Sequence, residues 1–404
     1  MPLIAFMAAH KRNPGHRPFT EDQPVNRSRL DLPLLVIALV LVGFGSIMVY
    51  SASYVLAETR YLGESAFFIK RHLGRVAIGL AILVVFIFLD YRKLRRLNIF
   101  LIGLGLFFLA VIFIPGLGLT IRGATRTFKL GFVNFQPAEL MKIAMILFLA
   151  NYLDKKQQVI QQFVPGLLPP LALIGIAFLL IAEQPDFGTA IALTISSVIL
   201  LYVGRARFTH LLYIGAIGLP FIGLKLMLSA HSRERLMTFM DRFFGSAVEV
   251  ASSQRDSDYQ VYQSLISFGS GGFFGTGLGE GKQKYLFLPD PHTDFIFAIV
   301  GEEFGFLGAI VLIALFIGFA WRGIQIAKQA PDGFGFFLAS GLTILITMHV
   351  LINIGVATGI LPTTGIPLPF ISYGGTWLFF CMMAVGILLN ISRSSSTSQR
   401  LRYD

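Results

Sequence analysis

From Leu34 to Ile391 the sequence repeats one pattern, a long apolar run closed by a short polar or Gly/Pro-rich link. A helix that crosses the hydrocarbon core of a bilayer needs roughly 20 consecutive apolar residues. The runs predict helices near 33–54, 73–90, 98–116, 136–153, 165–182, 188–203, 209–229, 294–321, 334–358 and 374–391. The expected fold is an all-α integral membrane protein of about ten transmembrane helices. Composition agrees, since 55% of residues are hydrophobic and 14% charged, with a mean hydropathy of +0.72, outside the balance of a soluble domain. No length remains for a separate soluble catalytic domain.

The first 30 residues are polar, basic and Pro-bearing, so 1–30 is expected to be a disordered cytoplasmic tail. A signal peptide would place its apolar segment earlier, and the first helix is expected to double as an uncleaved anchor. A polytopic membrane domain over 31–393 and a short cytoplasmic tail over 394–404 complete the expected organisation. The net charge of +11 could suggest nucleic acid, but much of it flanks the helices, where anionic lipid and the positive-inside effect account for it. No basic face outside the membrane argues for a nucleic-acid partner. Arg92, Lys93, Arg95 and Arg96, then Lys155 and Lys156, then Arg205 and Arg207, then Arg322 and Lys328 alternate with less basic links, which predicts both termini on the cytoplasmic side. That leaves outside the segments 55–72, 117–135, 230–293 and 359–373, with a tight turn from Glu183 to Phe187. The 230–293 loop, between helices seven and eight, is too long for an idle connector and is expected to fold back onto the bundle. Its Gly275-Thr-Gly-Leu-Gly-Glu-Gly281 run follows no strand, so it reads as a flexible or tightly turned loop and not as a dinucleotide cradle. The lone Cys381 excludes a disulfide framework and a Cys-based metal site.

Three clusters carry residues able to do chemistry. In the first, Pro137 suits the first turn of a helix, and Gln136, Glu139 and Lys142 follow at intervals of three, a polar stripe down an apolar helix. Such a stripe is either a buried structural ion pair or the wall of a cavity for a polar headgroup. In the second, Glu183-Gln-Pro-Asp186-Phe-Gly188 puts two carboxylates in a turn, where Asp186 either caps the next helix or positions a substrate. In the third, prolines 289 and 291 stiffen the approach to His292-Thr-Asp294, and Thr293 or Asp294 is expected to begin a helix. A carboxylate there is an ordinary capping choice, and equally a general base toward a hydroxyl in a partly desolvated pocket. A last stretch, Asn353 to Gly375, packs Pro and Gly at a helix boundary, and irregular backbone at membrane depth is tolerated only where protein or a cavity lines it.

Gln136-Pro-Ala-Glu-Leu-Met-Lys142, Gln184-Pro-Asp-Phe-Gly188, His292-Thr-Asp-Phe-Ile-Phe297 with Gly301-Glu-Glu303, and Pro367-Leu-Pro-Phe-Ile-Ser-Tyr-Gly-Gly375 occur in order, each at a membrane boundary. In these motifs the chain resembles the SEDS family (shape, elongation, division and sporulation), membrane peptidoglycan glycosyltransferases of FtsW and RodA type, over about Leu34 to Ser392. The resemblance implies polymerisation of lipid II on the outer face of the cytoplasmic membrane, with Asp294 matching the family's essential aspartate as general base. Arg71, Arg126 and Lys142 are the cations placed to hold the leaving pyrophosphate, and Gln136, Glu139, Asp186 and His292 complete the expected substrate-binding set. A divalent cation is compatible with pyrophosphate chemistry, but no ligand cluster in the sequence would fix one. The implied partners are a cognate class B penicillin-binding protein and other membrane proteins of the division machinery. Thr127, Thr376 and His349 stand where relatives often carry Trp, Ser and Gln. The basic N-terminal tail, Gly279-Glu-Gly-Lys-Gln-Lys284 and Asn353 to Gly359 look like the division type, whereas Thr363-Thr-Gly-Ile-Pro367 resembles the elongation type. The rival readings are a lipid II flippase, which also uses buried charges and broken helices, and a non-enzymatic scaffold.

Overall fold

Each apolar run is helical in the computed structural model, which describes residues 30–60, 64–121, 124–130, 133–228, 230–244, 256–285, 287–289 and 291–400. The expected disordered tail thus lies almost wholly outside the described residues, as does 401–404. In order the elements are α1 (Leu32–Arg60), α2 (Phe67–Phe88), α3 (Tyr91–Val111), β1 (Leu119–Ile121), β2 (Ala124–Leu130), β3 (Val133–Phe135) and α4 (Pro137–Lys156). Then come a π-helical turn (Phe163–Leu167), α5 (Leu168–Ala182), α6 (Phe187–Val203), α7 (Phe208–Leu228), α8 (Ala230–Phe244), α9 (Asp256–Gly271), α10 (Ile296–Gln329), α11 (Gly333–Ala357) and α12 (Trp377–Arg400).

Seven of the described helices are long and apolar enough to cross a membrane, and Phe187–Val203 is apolar but shorter. Their outward faces are apolar: Val40 and Ile47 on α1, Val85 and Phe88 on α2, Ile99 and Phe100 on α3, and Ile317 and Trp321 on α10 are all exposed. In water such a surface would drive aggregation; in lipid it is the expected solvent contact. The chain is a multi-pass helical membrane protein. Packing is tightest between α12 and α2, α10 and α11, α3 and α4, α11 and α4, and α9 and α10. Helices α11 and α12 are therefore the most buried spans.

Caps explain where the helices begin, and why some start earlier than hydropathy suggests. Asp90 accepts from the backbone N–H of Arg92 at 2.9 Å and so starts α3 at Tyr91, drawing the basic residues 92–96 into its first turns. Asp332 caps α11 through Gly335 N at 2.7 Å, and Pro137 occupies the first turn of α4. The segment 117–135 is not a plain loop, because β1, β2 and β3 pair antiparallel in sequence order, with Leu119 opposite Thr127 and Phe128 opposite Phe135.

The long loop does fold back, since α9 packs along α10. Its Gly-rich run is tightly turned: Gly272, Gly275, Gly277 and Gly279 all have positive φ. The close approach occurs at Gly305, where φ 65° and ψ −164° interrupt α10. Two N–H groups freed by that break, of Phe306 and Leu307, donate to the carbonyls of Gly272 and Phe273 at 2.9 and 3.1 Å. In return Thr276 N and Gly277 N donate to the carbonyls of Glu302 and Glu303 at 2.9 and 3.0 Å. The loop and the broken helix thus complete each other's backbone, as they must at a depth without water. Glu302 then accepts from Lys282 N at 2.7 Å, and the fully buried Lys284 ammonium meets Glu303 at 2.7 Å, while Ser51 of α1 donates to Glu303 at 2.6 Å.

A Cβ at Gly305 would lie 2.3 Å from Gly275 N, in a backbone region open essentially to glycine alone. Gly305→Ala is expected to destabilise the protein by at least about 2 kcal/mol. Gly103→Ala, where a Cβ meets nothing within 4 Å, is expected to be neutral or stabilising by up to about 1 kcal/mol. Thermal unfolding of the two variants in one detergent measures the contrast.

Candidate functional site

Chain alternation brings one set of helix ends together: the end of α1, the starts of α2, α4, α6, α10 and α12, and the end of α11. The opposite ends carry the basic links and their own pairs, Arg95–Asp154 at 2.8 Å, Arg92–Asp332 at 3.2 Å and Arg322 with Asp31.

Asp294 lies in the turn before α10, half-buried. The expectation that Thr293 or Asp294 starts that helix is corrected, because α10 begins at Ile296 with Phe295 at the cap position. The physical reason lies in where the carbonyls go. Ser372 donates its hydroxyl to the Thr293 carbonyl at 2.6 Å, and the buried Asn353 amide of α11 donates to the Asp294 carbonyl at 2.8 Å. The same amide nitrogen donates to the Ile366 carbonyl at 2.8 Å, and Tyr373 N donates to the His292 carbonyl at 2.8 Å. The turn is therefore laid against the irregular segment 359–376. Gly365, at φ 75°, lets that segment approach; a Cβ built there would sit 3.5 Å from Asp294 Oδ2. The His292 ring is buried between Phe68 and Tyr373, at centroid distances of 4.7 and 5.3 Å.

Asp186 does act as a helix cap, accepting from Thr189 N at 3.3 Å. It does more, because its other oxygen accepts from Gln136 Nε2 at 2.7 Å, and Arg126 of β2 stands 3.9 Å from the capping oxygen. Arg235 of α8 joins this group to Asp294. Its guanidinium donates to the Thr363 carbonyl at 3.1 Å. Burial lowers its pKa from the ordinary arginine range, Arg126 acts in the same direction, and the nearby carboxylates of Asp294, Asp186 and Glu234 oppose them. Arg235 was not among the residues singled out in the sequence.

Glu139 and Lys142 lie deeper on α4, both almost fully buried. Lys142 Nζ is 2.8 Å from Glu139 Oε2, 2.7 Å from His349 Nε2 and 3.7 Å above the Trp377 ring. His349 Nδ1 lies 2.8 Å from the Leu345 carbonyl, which can only accept, so Nδ1 carries the proton and Nε2 receives the ammonium. A neutral histidine thereby supplies the acceptor that a glutamine oxygen would offer, and Thr376 Oγ1 still accepts from Gln136 N at 3.4 Å. Arg71 is apart from these groups, exposed on α2 with its guanidinium 4.1 Å over the Phe67 ring. Among the described residues no three His, Cys, Asp or Glu side chains converge as a metal cage would.

The arrangement is a half-buried carboxylate at one end of a polytopic helical bundle, with Arg235 beside it and Arg126 held nearby through Asp186. A model of the FtsW/RodA/SpoVE family, described as cell cycle protein, matches residues 32–397, and the chain belongs to that family. It is 43% identical to stage V sporulation protein E of Bacillus subtilis (strain 168) over 366 residues, 90% of this chain and 97% of that protein. It is 39% identical to a protein of Trichlorobacter lovleyi named "Probable peptidoglycan glycosyltransferase FtsW" over 370 residues, covering 92% and 95%. Among solved structures, a chain reported under "Structural coordination of polymerization and crosslinking by a peptidoglycan synthase complex" superposes with a TM-score of 0.72 at 26% identity, covering 90% of this chain and 98% of that one. The Rod shape determining protein RodA of Thermus thermophilus gives a TM-score of 0.67 at 26% identity, covering 91% and 97%.

Removing one partner of a buried ion pair strands the other, at a cost of about 3–5 kcal/mol. Lys142→Met and Glu139→Gln are each expected to lower stability by that order, and the double variant to recover most of the loss. Thermal unfolding of the four proteins closes the cycle.

Proposed function

We propose that this protein is a peptidoglycan glycosyltransferase that polymerises lipid II, acting in cell division, with Asp294 as general base. The observation that carries the reading is the turn at Asp294: a carboxylate held in a half-buried position by Asn353, Ser372 and Tyr373, with Arg235 beside it, in a family whose relatives are named for this activity. The acceptor sugar hydroxyl gives its proton to the Asp294 carboxylate as its oxygen bonds to the donor's anomeric carbon. The bond from that carbon to the pyrophosphate oxygen breaks, and its electron pair leaves with undecaprenyl pyrophosphate. Arg126, Arg235 and Arg71 offset the charge that develops on the leaving group, which is worth most where water is partly excluded. Lys142, its charge balanced by Glu139, forms a structural ion pair in the α4 wall beneath this group.

The basic links at the opposite ends support a reading in which that face and both termini are cytoplasmic and the Asp294 end faces outward. The likeness to a chain from a peptidoglycan synthase complex supports a transpeptidase partner, a class B penicillin-binding protein. Relatives named FtsW at 39% identity over nine-tenths of the chain favour a septal role over an elongation role.

The test is glycan-strand formation from labelled lipid II by the purified protein with its cognate transpeptidase, the latter carrying an inactivated serine. Asp294→Asn, folded as wild type, is expected to lose at least about 100-fold in rate. Equal polymerisation by both proteins would remove Asp294 as the base. Transfer of lipid II across vesicles without polymer from either would favour the flippase.

A further inference from the structure

At the end of the bundle away from Asp294, the corner between α2 and α3 meets residues 390–394 of α12 around a cavity of about 80 Å³. One water needs roughly 10–15 Å³, so the space takes a group of several heavy atoms. Its walls are held by specific bonds. The buried Asn390 of α12 donates Nδ2 to the Ile87 carbonyl at 2.8 Å, where α2 ends, and its Oδ1 accepts from Tyr91 N at 3.0 Å, where α3 begins. Arg393, about one turn further along α12, donates Nη1 to the same Ile87 carbonyl at 3.3 Å and lays its guanidinium 5.2 Å from the centre of the Phe88 ring. Arg92 directs Nε to Asp332 at 3.2 Å, and Asp90 turns Oδ1 to Arg92 N at 2.9 Å. Asp90, Arg92 and Arg393 all line the cavity, and none of them enters the chemistry proposed above.

The charges decide what kind of group fits. Arg92 and Arg393 are offset by Asp90 in the lining and by Asp332 behind it, a balanced set that matches an occupant carrying both signs. Guanidinium groups from two helices suit a phosphate with several oxygens, and the carboxylate beside them suits an ammonium. The position decides the source. Phe88, itself a wall of the cavity, is 60% exposed. Ala81, Val84 and Val85, seven, four and three residues earlier, lie on the same helix face and are exposed as well. This apolar stripe runs from the cavity along a helix long enough to span a membrane, as an acyl chain would. Charged pockets between such helices hold lipid headgroups.

We propose that this corner binds the headgroup of a zwitterionic aminophospholipid, with its phosphate on Arg92 and Arg393, its ammonium at Asp90 and an acyl chain along Phe88, Val85 and Val84. The test uses the delipidated full-length protein in detergent. Phosphatidylethanolamine, phosphatidylglycerol and phosphatidylcholine are added in turn, and bound lipid is counted by native mass spectrometry. Wild type is expected to retain phosphatidylethanolamine about fivefold better than either of the others. Arg393→Gln is expected to weaken that binding about tenfold, and Arg393→Lys, which keeps the charge, to weaken it less. Asp90→Asn keeps a good helix cap but loses the charge that faces the ammonium. It is expected to abolish the preference for phosphatidylethanolamine while phosphatidylglycerol binds at least as well, a change that a merely structural corner would not produce. Unchanged phosphatidylethanolamine binding in a monodisperse Arg92→Gln/Arg393→Gln double variant overturns the site. Equal retention of all three lipids by wild type overturns the headgroup assignment. Displacement of the lipid by an equal concentration of soluble phosphoethanolamine overturns the bilayer as its source.

Discussion

The structure depends on how it satisfies backbone polar groups in a stretch of chain that is not helical and has little water near it. Residues 292–295 and 359–376 leave regular structure at the same end of the bundle, and each supplies what the other lacks. Asn353 spends its amide on two carbonyls, those of Asp294 and Ile366, from two different segments. The Ser372 hydroxyl accepts from Leu368 N at 2.8 Å and donates to the Thr293 carbonyl. A carbonyl buried without a donor costs about 1–3 kcal/mol, so these few side chains decide whether the Asp294 turn has one conformation or many.

The other side of that turn is held by a different device. At Gly305 helix α10 opens, and the Gly-rich loop before Asp294 plugs into the break through reciprocal backbone hydrogen bonds, locked by the buried Lys284–Glu303–Ser51 cluster. The segment from Gly272 to Phe295 is thus clamped at both ends. A base works by being within hydrogen-bond reach of one particular proton, and a loop so clamped can hold a carboxylate to that tolerance. Charge gathers near it from elements far apart in the chain: Arg235 of α8 lies beside it, and Arg126 of the small sheet pairs with Asp186, which Arg235 also faces.

Much of this was legible in the sequence, for a physical reason: crossing a bilayer demands long uninterrupted apolar runs, so the spans declare themselves. The polar residues that interrupt them declare themselves too, and Gln136, Asp186 and Asp294 do gather at one end with Arg126. What hydropathy could not show is where helices end. A span stops at the membrane, but a helix stops at its cap, and so Asp90 starts α3 seven residues before the apolar run. Arg235 was hidden because it is one of several charges in an amphipathic stretch, and only the fold of α8 over Thr363 singles it out. Asn353 was hidden because its role lies in backbone carbonyls that have no sequence signature. His349 looked like a departure from the family pattern, and its tautomer keeps the acceptor that Lys142 requires.

The central claim is that the titrating group in glycan polymerisation is the Asp294 carboxylate. A base works deprotonated, so the rate must fall as pH drops through its pKa, and the position of that acid limb belongs to the carboxylate itself. The decisive measurement is the pH dependence of polymerisation, kcat/KM for lipid II, in wild type and in Asp294→Glu, which moves the carboxylate by one methylene and alters its desolvation. The account predicts a slower enzyme whose acid limb shifts with the new side chain. An acid limb that stays in place while the rate falls would show that Asp294 positions the substrate and that another group takes the proton.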